Sequence, residues 1–206
     1  MSAQPRDWGV YLVTDRAQTN GRPLLDVVTA ALRGGVGAVQ LRERGLETRA
    51  LLELAIALRQ ATRAAGAALL INDRIDVALA CDADGVHLPG HSFAVADARA
   101  LLGPRRLIGV STHHPDEVAA AAAAGADFAV FGPIFATPSK ATYGAPQGLD
   151  ALARARRAAA LPLFAIGGVD ADTAAAVRDA GADGVAVIRA VLAAPDPAAA
   201  ARALRR

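Results

Sequence analysis

The chain repeats one pattern four times, and this repetition restricts its fold more than any other feature. Small or acidic residues precede a short run of strand-forming residues at 34–41 (GGVGAVQL), 81–88 (CDADGVHL), 124–131 (AGADFAVF) and 180–187 (AGADGVAV). Each copy follows a stretch of helical composition, and Gly35, Gly125 and Gly181 suit the left-handed residue that ends a helix. The pattern therefore predicts four helix-to-strand units.

Four other apolar runs, at 10–13, 68–71, 107–110 and 163–166, alternate with these copies. The two sets together predict eight strands, near 10–13, 38–42, 68–72, 85–88, 107–111, 128–131, 163–166 and 184–188. Helical patterns fill the intervals, for example 24–33, 49–65, 116–124 and 171–180. Eight alternating units predict an α/β fold, a parallel (β/α)₈ TIM barrel that forms a single domain over residues 1–206. An open doubly wound sheet is the alternative, although a G-x-G-x-x-G turn does not follow the first strand.

Composition narrows the classes of function. The 206 residues are 53% hydrophobic but contain no apolar run of membrane-spanning length, so we expect no membrane association. A net charge of +2 without a dense basic tract gives no support for nucleic-acid binding. The start, MSAQPRDWG, has no signal-peptide pattern, and the single cysteine, Cys81, excludes an internal disulfide, so we expect a cytoplasmic protein. The oligomeric state is left open, with a homo-oligomer as one alternative.

Polar residues gather where the predicted strands end. Active sites of (β/α)₈ barrels lie at the carboxyl ends of the strands, so these residues are the candidates for a site. Gln40 and Arg42 alternate with apolar neighbours and are expected to point into the barrel mouth. The other candidates are Asn72 and Asp73 after strand 3, His87 in strand 4, Ser111 and His113 at strand 5, the long loop 131–148 after strand 6, Gly167 and Gly168 after strand 7, and AVIRA (186–190) at strand 8.

These candidates suit an anionic ligand. Arg42, Arg44 and Lys140 are cations that match phosphate oxygens, and Lys140 is the only lysine in the chain. The glycine pair at 167–168 can expose backbone N–H groups to a second anion. Asp73, beside the cations, would hold Mg²⁺ that bridges to phosphate oxygens. The rim therefore predicts two separate anion sites.

Structural roles can account for some of these residues taken singly. Asn72 and Asp73 can cap a helix that begins near Ile75. Ser111 and His113 suggest a nucleophile pair, but no G-x-S-x-G elbow surrounds the serine. The functional interpretation depends on the combination.

Six motifs stand in a fixed order along the chain. They are VQLRERG (39–45), INDR (71–74), GVHL (85–88), GVSTH (109–113), FGPIFATPSK (131–140) and IGGV (166–169). In this order they resemble the thiamine-phosphate synthase and thiazole tautomerase family. The resemblance runs from YLVTD (11–15) to GVAVIRAV (184–191), which is nearly the whole chain.

The resemblance implies an enzyme of thiamine biosynthesis that joins hydroxymethylpyrimidine diphosphate to a thiazole phosphate and releases pyrophosphate. In the mechanism of the family, the C–O bond to the diphosphate breaks first. The thiazole nitrogen then captures the stabilised pyrimidine carbocation. Catalysis would consist mainly of stabilising the departing diphosphate with Mg²⁺ and cations and of orienting the nucleophile.

The family motifs also imply a role for individual positions. The pyrimidine diphosphate would be bound by Gln40, Arg42, Arg44, Asn72, Ser111 and Lys140, and Mg²⁺ by Asp73. The thiazole phosphate would be bound by Thr137, Ser139, Gly168 and the backbone at Ile188 and Arg189. The catalytic candidates are Arg42, Lys140, Ser111 and His113. Arg44 stands where lysine is usual, and Arg189 stands where serine is common.

One departure from the family pattern concerns the metal. After GVHL the synthases continue Gly-Gln-x-Asp, and that aspartate is the second magnesium ligand, whereas this chain has PGHS and places Ser92 there. A neutral hydroxyl is a poorer Mg²⁺ ligand than a carboxylate. The change favours a thiazole tautomerase, for which His113 is the candidate general acid/base. Asn72, Asp73, Ser111 and Lys140 favour the synthase, and a barrel that binds thiamine intermediates without turnover is the third alternative.

Overall fold

Eight parallel strands pair in chain order and close into a barrel in the computed structural model, which describes residues 4–137 and 145–205. The strands are β1 (Val10–Val13), β2 (Ala38–Leu41), β3 (Ala68–Asn72), β4 (Gly85–Leu88), β5 (Leu107–Thr112), β6 (Phe128–Phe131), β7 (Leu163–Ile166) and β8 (Gly184–Val187). The helices are α1 (Leu24–Arg33), α2 (Thr48–Ala65), α3 (Ile75–Ala80), α4 (Val95–Leu102), α5 (Pro115–Ala123), α6 (Gly148–Ala158), α7 (Ala174–Asp179), α8 (Arg189–Leu192) and α9 (Pro197–Leu204). Closure comes from pairing of β1 with β8, in which Tyr11 aligns with Ala186.

The eight predicted strands are confirmed, each to within one residue at either end. The closed sheet excludes the open doubly wound alternative. Gly35, Gly125 and Gly181 have φ of 91°, 85° and 105°, as predicted for residues that end helices. The helix expected over 171–180 begins only at Ala174, and the turn before it is held by the Asp170 carboxylate, which accepts the N–H groups of Asp172 and Thr173.

Aromatic rings fill the amino-terminal half of the barrel interior. Trp8, just before β1, lies with its ring centroid 5.1 Å from that of Phe128 and 5.6 Å from that of Phe164. Tyr11 packs edge-on against Phe128 at 5.6 Å. All four side chains are buried, so the barrel has a solid aromatic base, and any ligand must enter from the opposite end.

A glycine in β5 makes room for this base. A Cβ atom on Gly109 would lie 2.1 Å from the Cζ of Phe128, far inside van der Waals contact. Glycine weakens a strand interior, and here only glycine leaves space for the neighbouring ring. Gly109 therefore serves the packing of the barrel interior.

Three of the four sequence repeats form the same arrangement at the amino ends of the strands, which we call the aspartate clamp. In each clamp an aspartate lies just before one strand. Its carboxylate accepts a backbone N–H from the strand that comes earlier in the chain. The same carboxylate pairs with an arginine from the helix that precedes this earlier strand. The sets are Asp84 with Leu69 N–H (2.7 Å) and Arg59 (2.6 Å), Asp127 with Ile108 N–H (2.7 Å) and Arg99 (2.6 Å), and Asp183 with Leu163 N–H (2.8 Å) and Arg156 (2.9 Å). Each clamp ties two strands and a helix together.

The first repeat has Gly37 in place of the aspartate. Its N–H donates to Val10 O at 3.0 Å, just as the N–H groups of the three clamp aspartates donate to the carbonyl oxygens of Leu69, Ile108 and Leu163, so this backbone hydrogen bond is common to all four repeats. A Cβ at this position would lie 2.4 Å from the Cα of Trp8. The backbone at Trp8, just before β1, therefore leaves no space for an aspartate here. None of the helices within the described residues is long and apolar enough to cross a membrane.

Candidate active site

A row of polar side chains lies directly above the aromatic base. The Gln40 amide nitrogen donates to the Tyr11 hydroxyl oxygen at 2.9 Å. That oxygen lies 3.4 Å from Nδ1 of His87, and Nε2 of His87 lies 2.9 Å from Oγ of Ser111. The row crosses the barrel from β2 through β1 and β4 to β5, and we call it the polar row. It places Gln40 and Ser111 as the sequence predicts, inside the mouth.

Burial keeps the middle of the polar row uncharged. It raises the pKa of Tyr11 well above the ordinary range of a phenol, which the hydrogen bond from Gln40 only partly offsets. Burial, with a smaller contribution from the positive charge of Arg42, lowers the pKa of His87 to about 3. Both groups are therefore neutral at ordinary pH.

Asp73 stands in an unusual backbone conformation at the end of β3. Its φ is +66°, a left-handed value that costs energy for residues other than glycine, and its N–H donates to His87 O at 2.9 Å. The Ser92 hydroxyl donates to the Asp73 carboxylate. Ser92, which stands at the position of the second magnesium ligand in the family pattern, therefore contacts Asp73.

The structure gives no support to the helix-cap role for Asn72 and Asp73. Helix α3 begins after Arg74, and no side chain caps it. Arg74 instead pairs with Asp76 in the first turn, which lowers the pKa of that carboxyl. Asn72 is half-buried at the end of β3, in register with His87.

The segment after β2 is held against the segment after β1. The backbone N–H of Arg42 donates to the Thr14 hydroxyl at 2.9 Å. Glu43 is buried and accepts the N–H of Arg16 at 3.1 Å, while Arg44 is exposed. Glu43 therefore fixes the loop from which Arg42 and Arg44 extend.

His113 lies outside the polar row although it shares a strand face with Ser111. Its side chain is exposed, with Nδ1 2.5 Å from the carbonyl oxygen of Gly132. Its backbone N–H donates to Glu117 at 2.6 Å. Since a carbonyl oxygen only accepts, Nδ1 of His113 is the donor in this contact.

The glycine pair after β7 packs against the loop after β6. Gly167 and Gly168 have φ of 97° and 66°, and a Cβ on Gly168 would lie 2.7 Å from the Cβ of Phe135. Phe135 N–H donates to Gly167 O at 2.9 Å, which brings half-buried Thr137 near the same rim. Ser139 and Lys140 lie outside the described residues.

The segment after β8 provides the last predicted contact. Ile188 is the residue before α8, and Arg189 begins that helix and is exposed. Ile166 and Ala186 are paired in neighbouring strands, so Gly168 and Ile188 follow them at equivalent positions. The two segments predicted to hold one phosphate are therefore adjacent.

Within residues 4–137 and 145–205, no three side chains of the His, Cys, Asp and Glu types come together as a metal-binding group. The donors that the structure does bring together are the Asp73 carboxylate and the Ser92 hydroxyl. Both are hard oxygen atoms of the kind that Mg²⁺ binds, and Mg²⁺ in proteins often takes one or two carboxylates together with substrate phosphates. The pair therefore fits Mg²⁺ that is bound jointly with a diphosphate.

Tyr11 is not among the residues predicted for the site, and His87 was predicted as a candidate at the end of strand 4 without a specific role. Tyr11 reads as a core aromatic, because its ring belongs to the aromatic base and only its hydroxyl reaches the polar row. The available signal was the alternation along β1 and β4, which sends both side chains inward. Glu43 was not predicted, because the acceptor role of its buried carboxylate depends on the N–H of Arg16, 27 residues away.

Known proteins resemble this chain both in sequence and in structure. A family model described as thiamine monophosphate synthase matches residues 10–191. A putative thiamine-phosphate synthase of Geobacter sulfurreducens is 54% identical over 96% of this chain and 93% of its own length, and a thiamine-phosphate synthase of Moorella thermoacetica is 48% identical over 96% and 94%. A solved structure of thiamine phosphate pyrophosphorylase from Pyrococcus furiosus superposes with a TM-score of 0.89 at 36% identity, covering 98% of this chain and 95% of that one.

Proposed function

The chain belongs to the thiamine monophosphate synthase family, and on this premise we propose that it is the transferase that makes thiamine phosphate. It joins hydroxymethylpyrimidine diphosphate to a thiazole phosphate and releases pyrophosphate. The observation that carries the proposal is the match over residues 10–191, which includes every loop of the candidate site. The names of the relatives favour the synthase over the tautomerase and over a barrel without turnover.

The pyrimidine diphosphate fits the side of the mouth formed by β2, β3 and β5. Gln40 and Ser111 lie at the two ends of the polar row, where Gln40 would contact the pyrimidine and Ser111 an oxygen of the diphosphate. Arg42 and Arg44 follow β2, Asn72 ends β3, and these residues would hold the diphosphate together with Lys140. Guanidinium groups bind phosphate oxygens in pairs, so these residues suit the leaving group.

The thiazole phosphate fits the opposite side, where β7 and β8 end. Gly168, Ile188 and the N–H of Arg189 would hold its phosphate, and Thr137 and Ser139 would contact the ring. This arrangement places the thiazole nitrogen across the mouth from the diphosphate. It therefore suits a displacement at the carbon between them.

The chemistry requires that the diphosphate leave with its electron pair. The C–O bond breaks, the pyrimidine carries the positive charge, and the thiazole nitrogen forms the new C–N bond. Arg42 and Lys140 stabilise the negative charge that develops on the diphosphate, and Ser111 donates a hydrogen bond at the edge of the polar row. The solid aromatic base keeps water away from the cation on one side.

Mg²⁺ would be held by Asp73, with Ser92 beside it. When bound, the ion supplies positive charge to the diphosphate. Because the protein offers one carboxylate here, we propose that the ion enters mainly as a complex with the diphosphate.

The decisive experiment mixes the purified protein with both substrates and Mg²⁺ and measures thiamine phosphate. Formation of that product that is lost in Asp73→Ala supports the proposal. A parallel incubation with the thiazole carboxylate phosphate tests the tautomerase, for which His113→Asn should be inactive. Turnover in the second assay alone would replace the proposal with the tautomerase, and tight ligand binding without any product would favour the binding protein.

A further inference from the structure

The polar row has a geometry that fixes the direction of every hydrogen bond in it. We infer that Tyr11 and His87 are positioning residues that make Gln40 present its carbonyl oxygen and Ser111 present its hydroxyl proton to the substrate. This inference rests on the proposed function for its substrate, but the direction of the row is a property of the protein alone.

The direction follows from the end at Gln40. The amide nitrogen of Gln40 donates to the Tyr11 hydroxyl oxygen, 2.9 Å away, so that oxygen is the acceptor. The Oε1 atom of Gln40 therefore faces away from Tyr11. The tyrosine proton must then go elsewhere, since a phenol with a raised pKa stays protonated and a buried donor left without a partner is costly. Nδ1 of His87, 3.4 Å away, is its neighbour on the other side.

The tautomer of His87 is thereby determined. A nitrogen that accepts the tyrosine proton cannot carry one, so Nδ1 is bare and the single proton of the neutral ring sits on Nε2. Nε2 lies 2.9 Å from Oγ of Ser111 and donates to it. A second proton on the ring would make Nδ1 a donor and leave the tyrosine proton without an acceptor in the row.

The two ends of the row consequently have opposite character. Ser111 already accepts from His87, so its own proton is directed to an acceptor such as a phosphate oxygen. Gln40 already donates to Tyr11, so its Oε1 selects a hydrogen-bond donor on the substrate. A ligand that places an N–H group at β2 and an anionic oxygen at β5 satisfies both ends, and a ligand with these groups exchanged leaves both unpaired.

The row is built to hold this polarity rigidly. Tyr11, Gln40 and His87 are at most 3% exposed, so water does not compete for their hydrogen bonds. The rings of Tyr11 and His87 also pack against Phe128, with centroid distances of 5.6 and 5.9 Å. Neither ring can turn without disturbing the aromatic base.

Nitrogen-15 NMR of the protein labelled at its histidines tests the direction without any substrate. Long-range correlations distinguish the two neutral tautomers, and the His87 signals are identified by their loss in His87→Gln. We expect His87 to be protonated on Nε2. His113, whose Nδ1 lies 2.5 Å from a carbonyl oxygen, should show the opposite tautomer in the same spectrum and serves as the internal control. Protonation of His87 on Nδ1 would reverse the row and overturn the inference.

The kinetic test uses Tyr11→Phe, which keeps the ring in the aromatic base and removes only the hydroxyl. Loss of the partner that orients Gln40 should raise KM for the pyrimidine diphosphate about ten- to a hundredfold, with a smaller change in kcat. Thr112→Val is the matched control, since the hydroxyl it removes donates to Val130 O and lies outside the row. Unchanged KM in Tyr11→Phe would contradict the positioning role.

A second pair of variants examines His87. His87→Gln keeps an N–H donor near Ser111 and should retain much of kcat, whereas His87→Leu removes the donor and should lose it. Equal losses in the two variants would mean that the donor is not what matters. If wild-type protein made no thiamine phosphate, the proposed function would fail while the NMR result still decided the direction of the row.

Discussion

The two ends of the barrel are constructed in opposite ways. At the amino ends of the strands, three of the four repeats form the same aspartate clamp, with donor–acceptor distances that agree within 0.3 Å between copies. At the carboxyl ends of the described strands, the contacts of the site do not repeat from one strand to the next. Gln40, Asp73, Ser111 and Gly168 each occur once, and each faces a different neighbour.

This difference separates stability from activity within one fold. The clamps repeat because each repeat of strand and helix meets the same problem, an unpaired strand N–H and a helix to be fastened. The mouth varies because its ligand has no fourfold symmetry. Changes at the amino ends should therefore affect folding, and changes at the carboxyl ends should affect turnover.

Removing a clamp should have the largest effect of all. Asp84→Ala leaves Arg59, whose side chain is only 12% exposed, without its carboxylate and Leu69 N–H without an acceptor, so we expect a loss of about 3–5 kcal/mol in the free energy of unfolding. Asp127→Ala, at a pair with side chains 27% and 34% exposed, should lose about 1–3 kcal/mol. Urea unfolding measures both, and activity per folded molecule should stay near that of wild type. A folded Asp84→Ala protein with poor turnover would break the separation of the two ends.

Removing the single lysine should have a comparably large effect, but on turnover and not on stability. Lys140→Ala withdraws one cation from the departing diphosphate, and we expect turnover to fall about a hundred- to a thousandfold with no change in unfolding. Arg157→Ala removes an exposed cation from the helix that follows the same loop and is the control for net charge. Near-normal turnover in Lys140→Ala would mean that the lysine has no role at the site.

Acid should destabilise the protein through the polar row. The pKa of His87 is lowered to about 3 in the folded state, so the unfolded chain binds the proton first, and stability falls as pH drops below about 6.5. The slope from this one group is about 1.4 kcal/mol per pH unit. Urea unfolding in EDTA from pH 7 to 5 should show a steeper loss for wild type than for His87→Gln. Parallel pH profiles would show that His87 is charged or solvated when folded.

The smallest expected effect concerns the metal. Ser92→Asp adds a second carboxylate beside Asp73, and we expect the Mg²⁺ concentration for half-maximal activity to fall about tenfold. Ser92→Ala, which only removes the hydroxyl, should not lower it. Calorimetric titration of Mg²⁺ with pyrophosphate present gives a readout independent of turnover. Superimposable titration curves for wild type and Ser92→Asp would place Ser92 away from the metal.

The sequence predicted the strands well because the signals were local and repeated. The repeated pattern and the glycines that end helices depend on short-range backbone preferences. Gly125 and Gly181 could therefore be placed at helix ends without knowledge of the tertiary structure. Alternation along β2 and β5 placed Gln40 and Ser111 correctly for the same reason.

What the sequence could not show depends on contacts between distant residues. From the sequence, the clamp aspartates are interpreted as turn residues, because the motif contains no signal for a partner arginine in a helix. Tyr11 and His87 are 76 residues apart, and their pairing exists only after β1 and β4 are placed around a common axis.

Pairing of β1 with β8 has a consequence for how the chain is made. Val10 pairs with Val185, so the first strand to leave the ribosome must wait for the last before the ring can close. Until then the nascent polypeptide is an open sheet with two bare edges, and the Trp8 surface has only part of its packing. Such long-range closure makes folding slow and leaves an interval in which a chaperone, or a second incomplete chain, can occupy the edge of β1.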